Sequence, residues 1–354
     1  MEAGVHLRPE AAHAEEIEAL AASLSATGGG RIRLSELLAD LNRSASVARV
    51  PAPAAHWGFQ WDEEDVRSQR WWPQGITTSA DHDESEVYDG RRVVMTSWYS
   101  KEFHGLHMGT RVTVVDLERL RYRHVLLVEA FTRGDGSVDV RPVEVHAGGI
   151  VWHGRHLHVA ATARGILTFR VDDLMRVGDL GDQDRLARTT GSFGYSYLLP
   201  VRFSYTGLAD PGHEPMRYSF LSLARANAQA HLLAGEYGRA RRTTRLLDFS
   251  IDPATSLLRL SADGAAHPLS VDQGVEGMQG ATKVDQRWYL NSSAGRYWRG
   301  SVHVGCPGSF RRCARMLPVG VEDIAYWPSQ DELWSLSEYP GRRHVFAMKR
   351  SSFD

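Results

Sequence analysis

The segment VEDIAYWP, residues 321–328, is the last of four phrases in this chain that share one pattern. The other three are WWPQGITTS from Trp71, HAGGIVW from His146 and MQGATKV from Met278. In the aligned phrases, one column holds a small or short residue just before an apolar one: Gly75, Gly149, Gly280 and Asp323. A phrase that recurs along a chain indicates a repeated supersecondary unit. We therefore interpret the four phrases as the equivalent innermost strands of successive units.

Strand-like runs rich in Val, Tyr, Trp, Phe and Thr follow each phrase, separated by Gly, Asp, Asn and Pro. A further group of runs, without a phrase of its own, occupies residues 193–250 and begins with FGYSYLLPVRFSY. Tyr195 and Tyr197 fall on its predicted first strand. Alternatively, LLAGEYGR at 232–239 resembles the second-strand phrases, which would shift the strand assignment of this unit by one. Units of about four strands arranged around an axis leave only short protected edges. The sequence thus predicts an all-β, five-bladed β-propeller.

The two ends of the chain are consistent with a closed ring. The last unit reaches Asp354 with three clear strands, so the strand AHWGFQW at 55–61 is expected to complete it. Residues 1–50 are predicted to form a helical extension, with helical spacing from Glu15 to Leu24 and a second short helix from Leu34 to Leu41. Residues 51–354 are predicted to form a single propeller domain, with the polar stretch 176–190 as a surface excursion.

Charge and composition restrict the class of protein. Lys plus Arg number 41 against 43 for Asp plus Glu, which leaves no overall field to attract nucleic acid or an anionic membrane. No run approaches the roughly 18 apolar residues of a spanning helix, and the acidic N-terminus lacks the features of a secretory signal. We expect a cytoplasmic protein that binds a small molecule, without a nucleic-acid or membrane partner. Its oligomeric state is left open.

Cys306 and Cys313 are the only cysteines, and their spacing matches neither a CxxC redox pair nor a four-ligand zinc site. Two interpretations remain: reduced thiols, which the missing export signal favours, or one disulfide across a local hairpin. The acidic tract from Asp81 to Glu86 is either a set of hard oxygen ligands for Ca²⁺ or Mg²⁺ or a solvated loop, and the general rule for charge runs favours the loop. We expect no structural zinc and no transition metal.

Several cofactor and nucleophile motifs are missing from the sequence. It contains no GxSxG, no HExxH, no GxxxxGK[ST] and no GxGxxG after a strand. Serine-triad hydrolysis, nucleotide chemistry and nicotinamide redox are thereby disfavoured. No cofactor is predicted.

The phrases HAGGIVW, MQGA, and VEDIAYWP followed by LWSLSEYPG make the chain resemble a family of uncharacterised bacterial β-propeller proteins. The resemblance covers most of residues 71–353 and implies a fold rather than a reaction. The chain is more loosely similar to lactonase and strictosidine-synthase-like propellers, whose innermost strands open with a PEGI-type phrase that places a carboxylate in the central channel. Here Gln74 and Gln279 occupy that position, and a carboxylate stands only at Glu322.

Equivalent positions of innermost strands converge on the axis of a propeller, so the candidate site is expected there. Gln74, Gln279 and Glu322 share one column of the alignment, and Trp72 and His146 lie two residues before that column on the same side. We predict Glu322, His146 and Tyr197 as catalytic residues. Desolvation in a channel raises the pKa of a carboxyl toward the range useful for proton transfer. Predicted substrate-binding residues are Trp72, Gln74, Gln279, Tyr195, Trp98 and Glu338.

Two hypotheses of function follow. The first is a non-redox enzyme that uses Glu322 with His146 or a channel tyrosine for acid/base catalysis, as a cyclase, lyase, isomerase or hydrolase. The second is a lectin-like or other ligand-binding propeller without catalysis. Glu322 and His146 also have structural interpretations, as acceptors or donors that hold blades together. A repeating lectin should repeat its binding residues, and the unequal column of Gln, Gly, Gln and Glu therefore favours a single asymmetric site.

Overall fold

The chain folds mostly into antiparallel β-sheet, and the computed structural model describes residues 4–178, 194–226, 229–240 and 242–354. Most of the polar stretch expected as a surface excursion, residues 179–190, lies outside the described residues. Within the described ranges, no helix combines the length and apolar character needed to cross a membrane.

The N-terminal segment contains the two expected helices and also short strands that the sequence did not predict. Helix α1 packs Ile17, Leu20 and Leu24 against Leu126 and Leu198 of the sheet. Strand β1 pairs along its whole length with the later strand at 205–209. The segment is therefore built into the sheets rather than appended to them. Its elements are β1 (Val5–Pro9), α1 (Ala14–Ser25), β2 (Gly30–Arg31), α2 (Leu34–Ala39), β3 (Arg43–Ser44) and β4 (Ser46–Val47).

The next part of the chain supplies a strand and a helix that precede the first repeated phrase: β5 (Ala55–Gln60) and α3 (Glu63–Arg67). The first phrase then begins an antiparallel meander whose strands pair in sequence order. A fifth strand pairs back on the last one. These elements are β6 (Trp71–Thr78), α4 (Ser79–His82), β7 (Val93–Ser100), β8 (Thr110–Asp116), β9 (Arg121–Thr132) and β10 (Val138–Pro142).

The second phrase begins another meander, in which the run from Tyr197 forms the outer strand. This outer strand also pairs in parallel with β9, which joins the two meanders into one 13-stranded sheet. The prediction that this run starts the third unit was wrong, because its hydrogen-bonding partner is the preceding strand at 165–170. The elements are β11 (Ile150–His153), β12 (His156–Ala160), β13 (Gly165–Arg170), a 3-10 turn (Val171–Asp173), β14 (Met175–Arg176) and β15 (Tyr197–Ala209).

Two separate antiparallel sheets follow. The first contains β16 (Phe220–Ala226), β17 (Gln229–Gly235), β18 (Arg245–Asp252), β19 (Leu257–Leu258) and β20 (Ser270–Gln273). The second begins with the third phrase and contains β21 (Met278–Val284), β22 (Arg287–Ser292), β23 (Ser301–Cys306) and β24 (Ser309–Cys313). Cys306 lies opposite Ser309 in this second sheet, and Cys313 lies opposite Val302. The two cysteines are free, so the alternative of a disulfide across the hairpin is wrong.

The last sheet joins the two ends of the chain. Strand β27 pairs antiparallel with the N-terminal strand β5, which in turn pairs with β4. The predicted closure by AHWGFQW is thus confirmed. The C-terminal elements of this sheet are β25 (Val321–Trp327), a 3-10 turn (Pro328–Gln330), β26 (Glu332–Ser337), β27 (His344–Lys349) and a final 3-10 turn (Arg350–Phe353).

The first strands of the meanders and sheets pack side by side around one axis, in the order β6, β11, β16, β21, β25 and back to β6. The glycine column of the aligned phrases lies where these strands approach most closely. A Cβ atom at Gly149 would lie 2.1 Å from the backbone nitrogen of Leu221, and one at Gly75 would lie 2.9 Å from that of Ile150. Asp323 fills the same column and accepts a 3.1 Å hydrogen bond from the Ile76 amide. Sheets that radiate from such a ring form a β-propeller.

Candidate functional site

Three inner strands have an irregular strand pairing at the same point, and this irregularity positions the aligned polar residues. The register shifts between Pro73 and Ile76 in β6, between Met278 and Gly280 in β21, and between Val321 and Ile324 in β25. A β-bulge bends its strand and turns side chains away from the regular alternation. The residues within these shifts, Gln74, Gln279 and Glu322, all turn toward one end of the axis.

A cavity of about 710 Å³ opens at that end of the axis. Six of the predicted residues line it: Trp72, Gln74, His146, Gln279, Glu322 and Glu338. The rest of the wall is mainly aromatic and basic: Tyr99, Lys101, Arg217, Tyr237, Arg242, Arg296 and Tyr339. Its volume falls within the range typical of small-ligand pockets.

Glu322 is the most deeply buried acidic side chain of the cavity wall, with 3% of its surface exposed. Its Oε1 atom accepts a 3.1 Å hydrogen bond from the Gln279 amide. Burial raises the pKa of Glu322 well above its usual value, and the nearby carboxyl groups of Glu338 and Asp323 raise it further. A neutral amide donor opposes this shift only weakly, because it brings no positive charge. The Glu322 carboxyl is therefore protonated at a pH where an exposed glutamate is ionised.

The backbone of the Glu322 bulge is held by side chains from neighbouring strands. The Asn291 amide donates to the carbonyl oxygens of both Glu322 and Asp323. The Ser335 hydroxyl donates a 2.7 Å hydrogen bond to the Asp323 carbonyl. These bonds satisfy carbonyl groups that the disrupted ladder leaves without strand partners. The position of Glu322 in the cavity is thus fixed by its surroundings.

Glu338 provides a second carboxyl in the cavity. The Gln74 amide donates a 3.1 Å hydrogen bond to its Oε2 atom. Burial raises the pKa of Glu338, while Gln74 and Lys101 act in the opposite direction. The guanidinium of Arg343 donates to the Glu338 backbone carbonyl at 2.7 Å and to the carbonyl of Asp65 at 2.6 Å, which ties the end of β26 to helix α3. Each carboxyl of the site is thus paired with an amide from the aligned column.

His146 lines the cavity, and its side chain is exposed to the cavity space. Its ring centroid is 4.4 Å from that of Tyr99. The surrounding protein lowers the pKa of His146 to about 4, and the positive charge of Lys101 acts in the same direction. The imidazole is therefore neutral near pH 7 and able to accept a proton through one ring nitrogen.

Four cationic side chains line the cavity: Lys101, Arg217, Arg242 and Arg296. The Lys101 ammonium lies 3.2 Å from the centroid of the Trp72 ring. Arg217 lies within 4.0 Å of the carboxylates of Glu214 and Glu236. Within the described part of the chain, Lys101, Arg242 and Arg296 form no ion pair with a carboxylate. With four cationic side chains and two carboxyls, the cavity lining has more positive than negative groups even when both carboxyls are ionised.

Three predicted site residues do not line the cavity. The assignment of Tyr195 and Tyr197 to the axial mouth was wrong, and Trp98, predicted to bind substrate from the end of a second strand, points elsewhere. Tyr197 is on the outer strand β15 and donates its hydroxyl hydrogen to the Asp40 carboxylate. The Tyr195 hydroxyl accepts a 3.3 Å hydrogen bond from Arg111. Trp98 is fully buried and donates to the Thr96 hydroxyl at 3.0 Å. The two tyrosines were assigned to the axis because the run that contains them was predicted to be an inner strand, whereas it leads into the outer strand β15. For Trp98, the strand alternation turns its neighbour Tyr99 toward the cavity instead.

The acidic tract after β6 is neither a solvated loop along its whole length nor a ligand cluster. Asp81 is buried at the end of a short helix and accepts hydrogen bonds from the Thr77 hydroxyl at 2.7 Å and the Thr78 amide at 3.0 Å. Asp83 accepts from the Ser85 amide, and Glu86 accepts from Ser329. Among the described residues, no group of three His, Cys, Asp or Glu side chains is arranged to hold a metal ion.

Comparison with known proteins gives distant structural likenesses. No protein-family model and no curated sequence matches the chain, so the resemblance to an uncharacterised bacterial family lacks a matching family model. Similar solved structures include a gluconolactonase from Xanthomonas campestris, at 16% identity over 87% of this chain and 95% of that chain, with a TM-score of 0.34. A GH43_1 enzyme from Xanthomonas citri shares 12% identity over 88% and 91%, with a TM-score of 0.36. The glutaminyl cyclase of Myxococcus xanthus shares 10% identity over 87% and 97%, with a TM-score of 0.31. Likenesses this distant carry no argument about function.

Proposed function

We propose that the chain is a five-bladed propeller enzyme that catalyses a non-redox proton transfer on a small anionic molecule. The reaction would be a cyclisation, elimination, isomerisation or hydrolysis. Glu322 acts as general acid and His146 as general base. The five blades are the meanders that begin with β6, β11, β16, β21 and β25, and β5 completes the last one.

The observation that carries this proposal is the presence in one cavity of two titratable groups with opposite pKa shifts. Glu322 has a raised pKa and His146 a lowered one. The carboxyl therefore keeps a proton to donate to a higher pH than an exposed glutamate does, while the imidazole near neutral pH has a lone pair to accept one. Opposite shifts of this kind are how enzymes assign acid and base roles to neighbouring groups. Both groups belong to inner strands or the loops that enter them, which position them rigidly.

The positive charge of the cavity supports an anionic substrate. Lys101, Arg242 and Arg296 carry charge without a carboxylate partner within the described residues, and all three line the cavity. Guanidinium groups bind carboxylate and phosphate through paired N–H donors. A substrate carboxylate or phosphate held by these groups would place its adjoining carbon atoms near the two carboxyls and His146. In our proposal, Glu338 and Gln74 then contact the substrate without transferring a proton.

The proposal is tested by comparing wild type with Glu322→Gln on a panel of hydroxy, unsaturated and amino carboxylates and of sugar phosphates. Proton NMR follows each mixture, because it detects cyclisation, elimination, isomerisation and hydrolysis alike. We expect at least one compound to be converted by wild type, and Glu322→Gln to convert it about 100-fold more slowly or worse. Glu84→Gln, a change at an exposed glutamate outside the cavity, should retain wild-type turnover.

Two outcomes would contradict the proposal. Equal conversion by wild type and Glu322→Gln would remove Glu322 from the chemistry. Saturable binding of a panel compound by both proteins, without conversion of any compound, would instead support a ligand-binding propeller without catalysis.

A further inference from the structure

The cavity mouth is bordered by two connections that expose large apolar side chains. Residues 101–109 join β7 to β8, and residues 293–300 join β22 to β23. Lys101 of the first connection and Arg296 of the second both line the cavity. The positive charge of Arg296 also contributes to the lowered pKa of Lys101, whose main cause is burial. The two connections therefore face the same opening.

These connections carry four of the seven large apolar side chains that are exposed among the described residues: Phe103, Leu106, Tyr297 and Trp298. Tyr297 is 80% exposed and Trp298 is 63% exposed. The other three lie outside these two connections: Val47 on β4, and Leu260 and Leu269 between β19 and β20. Single exposed apolar residues are ordinary on protein surfaces, but a local concentration of them indicates a binding surface. We call these four residues the apolar rim.

Positive charge adjoins the apolar rim. The Arg315 guanidinium lies 5.5 Å from the centroid of the Trp298 ring, and the Arg70 guanidinium lies 5.3 Å from that of Phe103. Arg296 immediately precedes Tyr297 and forms no ion pair with a carboxylate in the described ranges. A ligand that covers the rim therefore meets apolar surface and positive charge together. Neither a neutral lipid nor a free small anion uses both features.

We infer that the substrate is an amphiphilic anion, with its carboxylate or phosphate held by the cations of the cavity and its aliphatic chain or aryl group lying on the apolar rim. This inference rests on the proposed function, because it takes the cavity as the site of the charged group. Burying apolar surface against Tyr297 and Trp298 provides binding energy remote from the reacting atoms. The rim then selects among anions by the size of their apolar part.

The test uses straight-chain carboxylates from butanoate to decanoate, below their micelle concentrations, titrated calorimetrically into the full chain. Each methylene buried on the rim should strengthen binding by about fourfold. In the double variant Tyr297→Ser with Trp298→Ser, this dependence on chain length should disappear while butanoate affinity stays unchanged. The matched control, Leu260→Ser with Leu269→Ser, removes two exposed leucines elsewhere and should keep the wild-type dependence.

The outcomes separate this inference from the proposed function. Butanoate binding without any gain from longer chains would overturn the inference and leave the anion-binding cavity intact. A chain-length dependence in which neither butanoate nor other short anions bind would overturn the cavity as the charged subsite. Two further results would also overturn the inference. If sedimentation shows a dimer that the rim variant abolishes, the rim binds a second copy of the chain. If the protein floats with phosphatidylglycerol vesicles and the rim variant does not, the rim binds a lipid surface.

Discussion

The Gln279 side-chain amide donates a 3.1 Å hydrogen bond to Oε1 of Glu322, and both residues lie within register shifts at the same point of their strands. A second amide-to-carboxyl hydrogen bond, also of 3.1 Å, joins Gln74 to Glu338. A neutral amide donor holds a carboxyl group in position by a hydrogen bond but brings no positive charge to offset ionisation of that carboxyl. Two carboxyl groups are therefore held in place in the cavity while burial keeps their pKa values raised.

Glu322→Gln should become more stable relative to wild type as the pH rises. The pKa of Glu322 is raised in the folded state, so the folded protein binds its proton more tightly than the unfolded chain does. The stability that the protonated carboxyl contributes is complete below the unfolded value of about 4.3 and is lost as the pH increases toward the folded value. Glutamine has no charge to bury. Urea unfolding of both proteins from pH 4 to pH 8 measures the difference, and a constant difference would show that Glu322 ionises normally.

The activity of the wild type should follow a bell-shaped dependence of kcat/KM on pH. Activity should rise as His146 loses its proton, below the ordinary histidine range because its pKa is lowered to about 4. It should fall at higher pH as Glu322 ionises, since the general acid is then lost. The compound identified by the NMR panel serves as substrate. A profile that rises through pH 6.5 without an alkaline limb would assign an unperturbed histidine as the only titrating group.

Lys101→Met should weaken the binding of small anions by about tenfold without lowering the melting temperature, because it removes a charge from an exposed side chain. Lys101→Arg should retain most of the affinity, since it keeps that charge beside Trp72. The control is Lys283→Met, because Lys283 is an ion-pair partner of Asp248 and does not line the cavity. Calorimetric titration with inorganic phosphate measures all three variants. Equal losses in Lys101→Met and Lys283→Met would indicate a general charge effect.

The features that the sequence predicted are those that a repeated backbone geometry imposes. Gly75, Gly149 and Gly280 recur because the inner strands leave no room for a side chain at that level. The closing strand could be predicted because the last unit has only three strands of its own. Both inferences need only the pattern of a phrase and a count of strands.

The features that the sequence did not predict depend on contacts between distant segments. The strand from Tyr197 was placed in the wrong unit because its aromatic pattern suits an inner or an outer strand, and only its pairing with β13 decides. The cavity cations come from connections with unrelated sequences, so no repeated phrase points to them. Choosing Tyr99 over Trp98 requires knowing which face of β7 points to the axis.

Gly149→Ala should destabilise the protein by about 3 kcal/mol, because its methyl group overlaps the backbone of the neighbouring inner strand, which cannot rotate away. Gly134→Ala is the control. A Cβ atom at Gly134 would have no neighbour within 4 Å, and its backbone angle φ is not positive. This second change should leave stability within about 0.5 kcal/mol of wild type. Urea denaturation compares the two, and similar values for both would contradict the close packing of strands at the axis.

Cys306 and Cys313 should both react with a thiol reagent in protein purified without reductant. Their strand partners, Ser309 and Val302, place them four positions apart along the hairpin, which corresponds to roughly 13 Å. A disulfide requires Cα atoms within about 7 Å. Cys306 is exposed and Cys313 is half-buried, so Cys306 should react first. Cys306→Ser should leave one slow thiol, whereas a protein with no reactive thiols would show that the hairpin register is different.

Asp81→Asn should gain stability relative to wild type as the pH rises from about 4 to about 7. Burial raises the pKa of Asp81 to about 6 despite the hydrogen bonds from Thr77 and Thr78. Because the folded state binds this proton more tightly than the unfolded chain, with its value near 3.8, ionisation costs the wild type about 3 kcal/mol by neutral pH. The asparagine side-chain oxygen accepts the same hydrogen bonds and pays no such penalty. Asp83→Asn is the control, because the bonds from Ser85 lower the pKa of Asp83 despite partial burial, so ionisation of this carboxyl does not destabilise the folded state. Relative to wild type, Asp83→Asn should gain no stability from pH 4 to pH 8. If both variants gave the same pH dependence, Asp81 would not hold its proton in the folded protein.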